Sequence, residues 1–156
     1  MENNLGDIIL LRGAIEFQLA SAKTGEVIQS GRIENTVASN GRKWILNRIA
    51  SSDANTIDRI YLGTGTTAPA STQTALVASA TSRSAGTIST AGTSADPPYC
   101  TFAASWASNE TFTSSNSISE FGLFGANATM IGRVTTATPI NFATSNTLAI
   151  TYTLSN

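Results

Sequence analysis

Apolar and polar residues alternate along much of this chain, and the alternation divides it into strands. Ile15, Phe17 and Leu19 alternate with Glu16 and Gln18, the mark of a strand with one buried face. Ile8 to Leu11 precede them, Lys23-Thr24-Gly25-Glu26 supplies a turn, and Val27, Ile28 and Ile33 carry the return. Residues 8–34 therefore predict a hairpin with a polar tip. Ser39-Asn40-Gly41 then opens a helix over roughly residues 40–50, with Ser39 or Asn40 as its cap. Trp44, Ile45 and Ile49 fall at spacings that share one helical face.

A short strand follows, with Ile60 and Leu62 on one side and Tyr61 on the other. Gly63-Thr64-Gly65-Thr66-Thr67-Ala68-Pro69-Ala70 is a loop by composition. Residues 71–98 carry little pattern, although Leu76, Val77 and Ile88 point to short strands or a pairing arm, and Asp96-Pro97-Pro98 interrupts the chain. Tyr99 to Ala107 alternates cleanly, and Leu148, Ile150, Tyr152 and Leu154 alternate with threonines at the C-terminal end. Pro139, Ile140 and Phe142 form a short segment between.

The centre of this pattern is Ile118 to Thr135, two apolar runs flanking the small residues Gly125 to Thr129. It predicts a tight hairpin whose strands are largely buried. Glu120 precedes Phe121, Gly122, Leu123 and Phe124, and Arg133 lies inside the second run. Charges placed in apolar strands need partners, and each is available to the other. The whole reads as about eight strands and one short helix. The domain is residues 8–156, preceded by a polar arm, residues 1–7, that is mobile or ordered only against a partner.

Composition narrows the chemistry. The 156 residues fit one domain. Charged residues are 12% of the chain, about half the usual share, while Ser and Thr together number 42. Fourteen of the 19 charged residues precede residue 60. The neutral remainder is accounted for by burial in an assembly or simply by solvated hydroxyls. A net charge of −1 exerts no long-range pull on nucleic acid or anionic membrane. Cys100 is the only cysteine, so no internal disulfide forms, and it reads as a small buried hydrophobe. Residues 1–4 lack the basic start of a signal peptide, and no apolar run approaches the roughly 20 residues that span a bilayer. A soluble protein assembled inside a cell is the expectation.

Catalytic patterns are sparse. The chain has no histidine, and with it goes the usual general base and commonest metal ligand. The Gly63–Gly65 loop lacks the Gly-Lys-Ser/Thr ending of a phosphate cradle. Asp53, Asn55 and Asp58 do not extend to the alternating oxygen ligands of a calcium loop. Glu110 and Glu120 are the one carboxylate pair available for glycoside hydrolysis. Arg42, Lys43 and Arg48 around Trp44 form a small basic patch, offset by Glu34, Asp53 and Asp58. No cofactor or metal is expected.

Several motifs carry a family likeness: Arg12-Gly13 with Phe17 and Leu19, Thr24-Gly25, and Asn35-Thr36-Val37 followed by Asn40-Gly41-Arg42. Ile60-Tyr61-Leu62-Gly63-Thr64-Gly65-Thr66 with Leu76 after it, Glu120-Phe121-Gly122-Leu123-Phe124, Met130-Ile131-Gly132-Arg133-Val134 and the alternating end Leu148 to Leu154 complete it. In their order the chain resembles small structural proteins of tailed bacteriophages, both capsid decoration (cement) proteins and some tail or fibre proteins. Phe121 stands where that family often carries a small residue after the glutamate. The resemblance implies a β-sandwich or jelly-roll-like fold and no enzymatic activity. It also implies a homo-oligomer, commonly a trimer, assembled in the bacterial cytoplasm and bound to the major capsid protein at the capsid surface. The candidate contacts are Met1, Glu2, Asn3 and Asn4 of the arm, Thr64, Thr66, Thr67 and Pro69 of the neutral loop, and residues 84–98. A tail, collar or fibre component is the alternative within the virion. A carbohydrate-binding sandwich using Tyr61, Tyr99 or Trp106 as a platform is the alternative outside it.

Overall fold

The computed structural model describes residues 11–50, 56–84, 87–89, 99–110 and 117–155. Among the described residues there are nine strands and one helix: β1 (Arg12–Ser21), β2 (Val27–Val37), α1 (Ser39–Ile49), β3 (Ile57–Gly63), β4 (Ser79–Ser84), β5 (Thr87–Ser89), β6 (Tyr99–Trp106), β7 (Ser117–Gly125), β8 (Met130–Asn141) and β9 (Asn146–Ser155). All pairings are antiparallel. The strands are hydrogen-bonded in one continuous order, β4-β3-β7-β8-β2-β1-β9-β6-β5, which divides at β2 into two layers, β2-β1-β9-β6-β5 and β4-β3-β7-β8. Strand β2 joins them, because its last residues Thr36 and Val37 pair with Arg133 and Gly132 of β8.

The fold is mainly β with one short helix, as the alternating pattern predicted, and it is sandwich-like, as the resemblance implied. The inward positions are the periodic ones: Ile15, Phe17 and Leu19 of β1, and Leu148, Ile150 and Tyr152 of β9, meet Phe121 and Leu123 of β7 in one core. Phe17 and Phe121 stack across the interlayer with centroids 6.3 Å apart. Each such side chain contributes roughly 1.5–3 kcal/mol when removed from water. At the β1–β2 turn Gly25 adopts φ +72°, a left-handed conformation that glycine takes without Cβ strain.

The two sheets differ on their outer faces. Strand β9 alternates buried and half-buried or exposed residues, so the β2-β1-β9-β6-β5 sheet presents one face to solvent. Strand β7 is buried on both faces from Ile118 to Gly125. It lies between β3 and β8, with one face on the core and the other beneath the β3–β4 connection. The C-terminal apolar segment around Ile140 is not separate but the far end of the 12-residue β8.

Helix α1 departs from expectation at both ends of the argument. Ala38, not Ser39 or Asn40, is the N-cap, and no side chain caps the helix. The first N–H group is satisfied by the loop instead: Ser39 N donates to Ser71 O at 2.7 Å. Trp44 is buried and Ile45 half-buried, but Ile49 faces solvent. Gly41 brings the helix against the Ile131 carbonyl, so closely that a Cβ there would collide with backbone. That contact turns the Gly41/Trp44 face inward and leaves Ile49 outside.

Candidate interaction surface

The loop expected to contact partners, around residues 63–75, is held down together with residues 76–78 by one buried ion pair. Glu120 is 0% exposed and Arg133 1% exposed, and the Arg133 Nε donates to Glu120 Oε1 in a short contact. Removing two charges from water is costly unless every remaining valence is met, and here the loop meets them. Val77 N donates to Glu120 Oε1 at 2.7 Å, while Ala78 N and Gly65 N donate to Oε2 at 3.1 and 3.2 Å. Arg133 Nη1 donates to Gln73 Oε1 and Nη2 to the Thr67 carbonyl, both at 2.9 Å. The side-chain oxygen of Gln73 also accepts from Ala70 N at 2.9 Å, and Ser119 Oγ donates to Gly65 O at 3.3 Å. The bonds from the loop to Ser119, Glu120 and Arg133 span 42 to 66 residues of sequence, so tertiary folding alone assembles them.

The Gly-Thr-Gly spacing has a steric reason. A Cβ on Gly63 or on Gly65 would lie 2.6 Å from Glu120 Oε2, inside any permissible contact. The glycines let backbone N–H groups approach the carboxylate, much as such residues admit backbone to anionic ligands, but here the anion is the protein's own. Gly122 plays the same part for the other rim of the loop: a Cβ there would fall 2.8 Å from Leu76 Cδ2. Leu76 packs with Tyr61, Phe124, Ala38 and Met130 in a small second cluster, where the Tyr61 and Phe124 rings lie 4.4 Å apart.

The predicted residues sort accordingly. Glu120 and Arg133 are each other's partner, Leu123 is in the main core, and Gly122 and Phe124 support the loop from below. Thr66 and Thr67 point into solvent, Thr64 and Pro69 are half-buried, and Thr64 N is tied to Ala78 O at 2.8 Å. Met1, Glu2, Asn3, Asn4 and most of residues 84–98 lie outside the described residues. Gln73 was not anticipated, because it sits in a stretch without periodicity. Its signal is only that it is the one long amide in a run of small residues.

Other chemistry is placed as follows. Glu110 accepts from Ala107 N at 2.8 Å within a turn, and Glu120 is sealed by its four donors, so the two carboxylates form no cleavage pair. Among the described residues no three His, Cys, Asp or Glu side chains converge as metal ligands; Asp53 and Asn55 lie outside those residues, and Asp58 is 3.7 Å from Arg59. Trp106 is buried and Tyr61 half-buried, which leaves Tyr99 the one exposed member of the expected aromatic platform. Cys100 is half-buried against the core, and burial pushes its thiol up. Among the described residues no helix is long and apolar enough to cross a membrane.

The surface thus built is a neutral ridge of Thr66, Thr67, Ala68 and Ala70, exposed on one side and fixed through its backbone on the other. It offers hydroxyl, methyl and peptide groups in a fixed arrangement. No known protein family, curated protein or solved structure matches this chain.

Proposed function

We propose that this protein is a non-enzymatic structural component of a tailed-phage virion, a capsid decoration protein that binds the outer shell and bridges major capsid subunits. The observation that carries the reading is the clamped loop. Thr66, Thr67, Ala68 and Ala70 are uncharged and exposed, yet the backbone of this stretch is held by Arg133 at the Thr67 carbonyl and by Gln73 at Ala70 N. A surface ordered before binding loses little conformational entropy when a partner covers it. Absence of charge lowers the desolvation cost of that covering. Repeated by the symmetry of a homotrimer and of a shell, modest contacts of this kind sum to a large stabilisation. The sequence resemblance points to the same class of protein.

The test is binding of the purified protein to expanded capsids that lack it, followed by heating. The expected result is saturable binding at the shell's threefold positions and a raised rupture temperature. Thr66→Lys with Thr67→Lys should weaken binding without changing the folding midpoint, and removal of residues 1–7 should weaken binding without unfolding the domain. Full occupancy by the loop variant would refute the surface assignment, and full occupancy without residues 1–7 would exclude the arm as the anchor. A discrete ring in solution with no capsid binding would move the protein to the tail or collar.

A further inference from the structure

Helix α1 places Asn40, Lys43, Trp44 and Asn47 at i, i+3, i+4 and i+7, a single stripe on its surface. The stripe and the β7–β8 turn enclose a cleft of about 270 Å³, to which the turn contributes Asn127 and Thr129. Trp44, 7% exposed, is the one buried residue of the lining and forms its base. Its indole nitrogen lies at the turn: a Cβ on Gly125 would be 3.8 Å from Trp44 Nε1 and 3.1 Å from Asn127 Oδ1. Among the described residues, however, nothing accepts a hydrogen bond from Trp44 Nε1. An indole nitrogen is a donor only, and a buried donor left unmet is unfavourable. An acceptor supplied from outside the chain would meet it.

The other lining groups define that acceptor. Asn127 Oδ1 already accepts from Thr129 N at 3.2 Å, so the amide NH2 of Asn127 is the group left for a ligand. Ala128 holds the turn at φ +62°, a left-handed conformation that a residue other than glycine adopts only where its surroundings impose it. Lys43 adds an ammonium with no acidic partner among the described residues, and none of the lining residues is Asp or Glu. A donor-rich site with one positive charge matches a monoanion such as a carboxylate. The Asn40 amide and the Thr129 hydroxyl both donate and accept, as ring hydroxyls do. The volume falls just below the roughly 300–1,000 Å³ of drug-sized sites, which limits the occupant to about one ring. We propose that this cleft binds a uronate, an acidic sugar unit. Its carboxylate is held by Lys43, Asn127 and the Trp44 N–H, and its ring hydroxyls meet Asn40 and Thr129. None of these residues belongs to the Thr66–Ala70 ridge, so the site is independent of the capsid reading.

Nuclear magnetic resonance of the intact, nitrogen-labelled protein tests this in solution, with D-glucuronate as the probe and D-glucose and acetate as its two halves. The chain has two tryptophans, hence two indole N–H signals, and Trp44→Phe identifies the one that belongs to Trp44. The expected result is saturable movement of that signal and of the Asn127 side-chain amide, with a Kd of about 1 mM. Glucose and acetate should each bind at least about tenfold more weakly. Lys43→Gln should weaken glucuronate binding about tenfold. Asn127→Asp keeps an oxygen for Thr129 N but sets a negative charge against the ligand, and should abolish the movement. A Trp44 signal that glucuronate leaves in place would overturn the proposal, as would unchanged affinity in Lys43→Gln. Acetate as effective as glucuronate would overturn it in favour of a bare carboxylate, such as an acidic side chain of a partner protein. Glucose as effective as glucuronate would overturn the choice of an acid. An unshifted Trp106 signal in each variant confirms that the core is intact before affinities are compared.

Discussion

Replacing Glu120 by Gln changes almost no volume and removes one charge, which makes it the sharpest probe of the clamp. In the native protein Oε1 accepts from Val77 N and Arg133 Nε, and Oε2 accepts from Ala78 N and Gly65 N. A glutamine keeps one acceptor oxygen and turns the other into a donor. Whichever way the amide lies, two buried donors face another donor, at about 1–3 kcal/mol each. Arg133, 1% exposed, also keeps its charge without a counterion, and breaking one side of a buried pair costs about 3–5 kcal/mol. These effects overlap, so the expected loss is about 4 kcal/mol. For a domain with an m-value of about 2 kcal/mol/M, that is a fall of about 2 M in the urea midpoint. Hydrogen exchange provides the local readout, with protection lost at Gly65, Val77 and Ala78 while the β1–β9 ladder keeps its own. The exposed Arg32–Glu16 pair, at 2.6 Å but with both side chains 54% exposed, is the contrast. Glu16→Gln should shift the midpoint by no more than about 1 kcal/mol. A Glu120→Gln midpoint as small as that of Glu16→Gln, with loop amides still protected, would refute the assignment of the pair as the anchor of the loop.

Two further substitutions separate causes that look alike in the sequence. Gly65→Ala places a Cβ 2.6 Å from Glu120 Oε2 and 2.9 Å from Val77 Cβ, and should cost about 1–3 kcal/mol with loss of loop protection; Gly25→Ala meets no atom within 4 Å but sits at φ +72°, and should cost about 1–2 kcal/mol with the loop untouched. Tyr152→Phe removes a fully buried hydroxyl that has no hydrogen-bond partner, so urea unfolding at neutral pH should show little loss or a gain of about 1 kcal/mol. Burial pushes the Tyr152 phenol well above its ordinary value of 10.0, so the native state holds its proton while the unfolded chain releases it. The stability this group contributes is therefore complete below about pH 10 and declines above it by about 1.4 kcal/mol per pH unit; the wild-type protein should show that extra decline between pH 10 and 12 and the Phe variant should not.

Local pattern alone determined most of the architecture. Strict alternation at Ile15–Leu19, Tyr99–Trp106 and Leu148–Leu154 identified half-buried strands, because a pleated strand facing water on one side admits no other arrangement of apolar residues. The Gly125–Thr129 hairpin and the turn at Gly25 were legible for the same reason: their geometry is set within a few residues. The partnership of Glu120 with Arg133 was legible as a need, since a buried charge requires a counterion. What only tertiary structure decided is where those strands meet and what the loop does. That β2 passes from one sheet to the other, that Ser71 rather than Ser39 satisfies the start of α1, and that Ile49 faces solvent all depend on packing between elements distant in sequence. Residues 64–78 have no periodicity because their order comes from outside, through bonds to Glu120 and Arg133 that close loops of 42 to 66 residues. Sequence proximity carries no information about such contacts, and only the folded chain brings the carboxylate, the guanidinium and the glycine-lined backbone to one place.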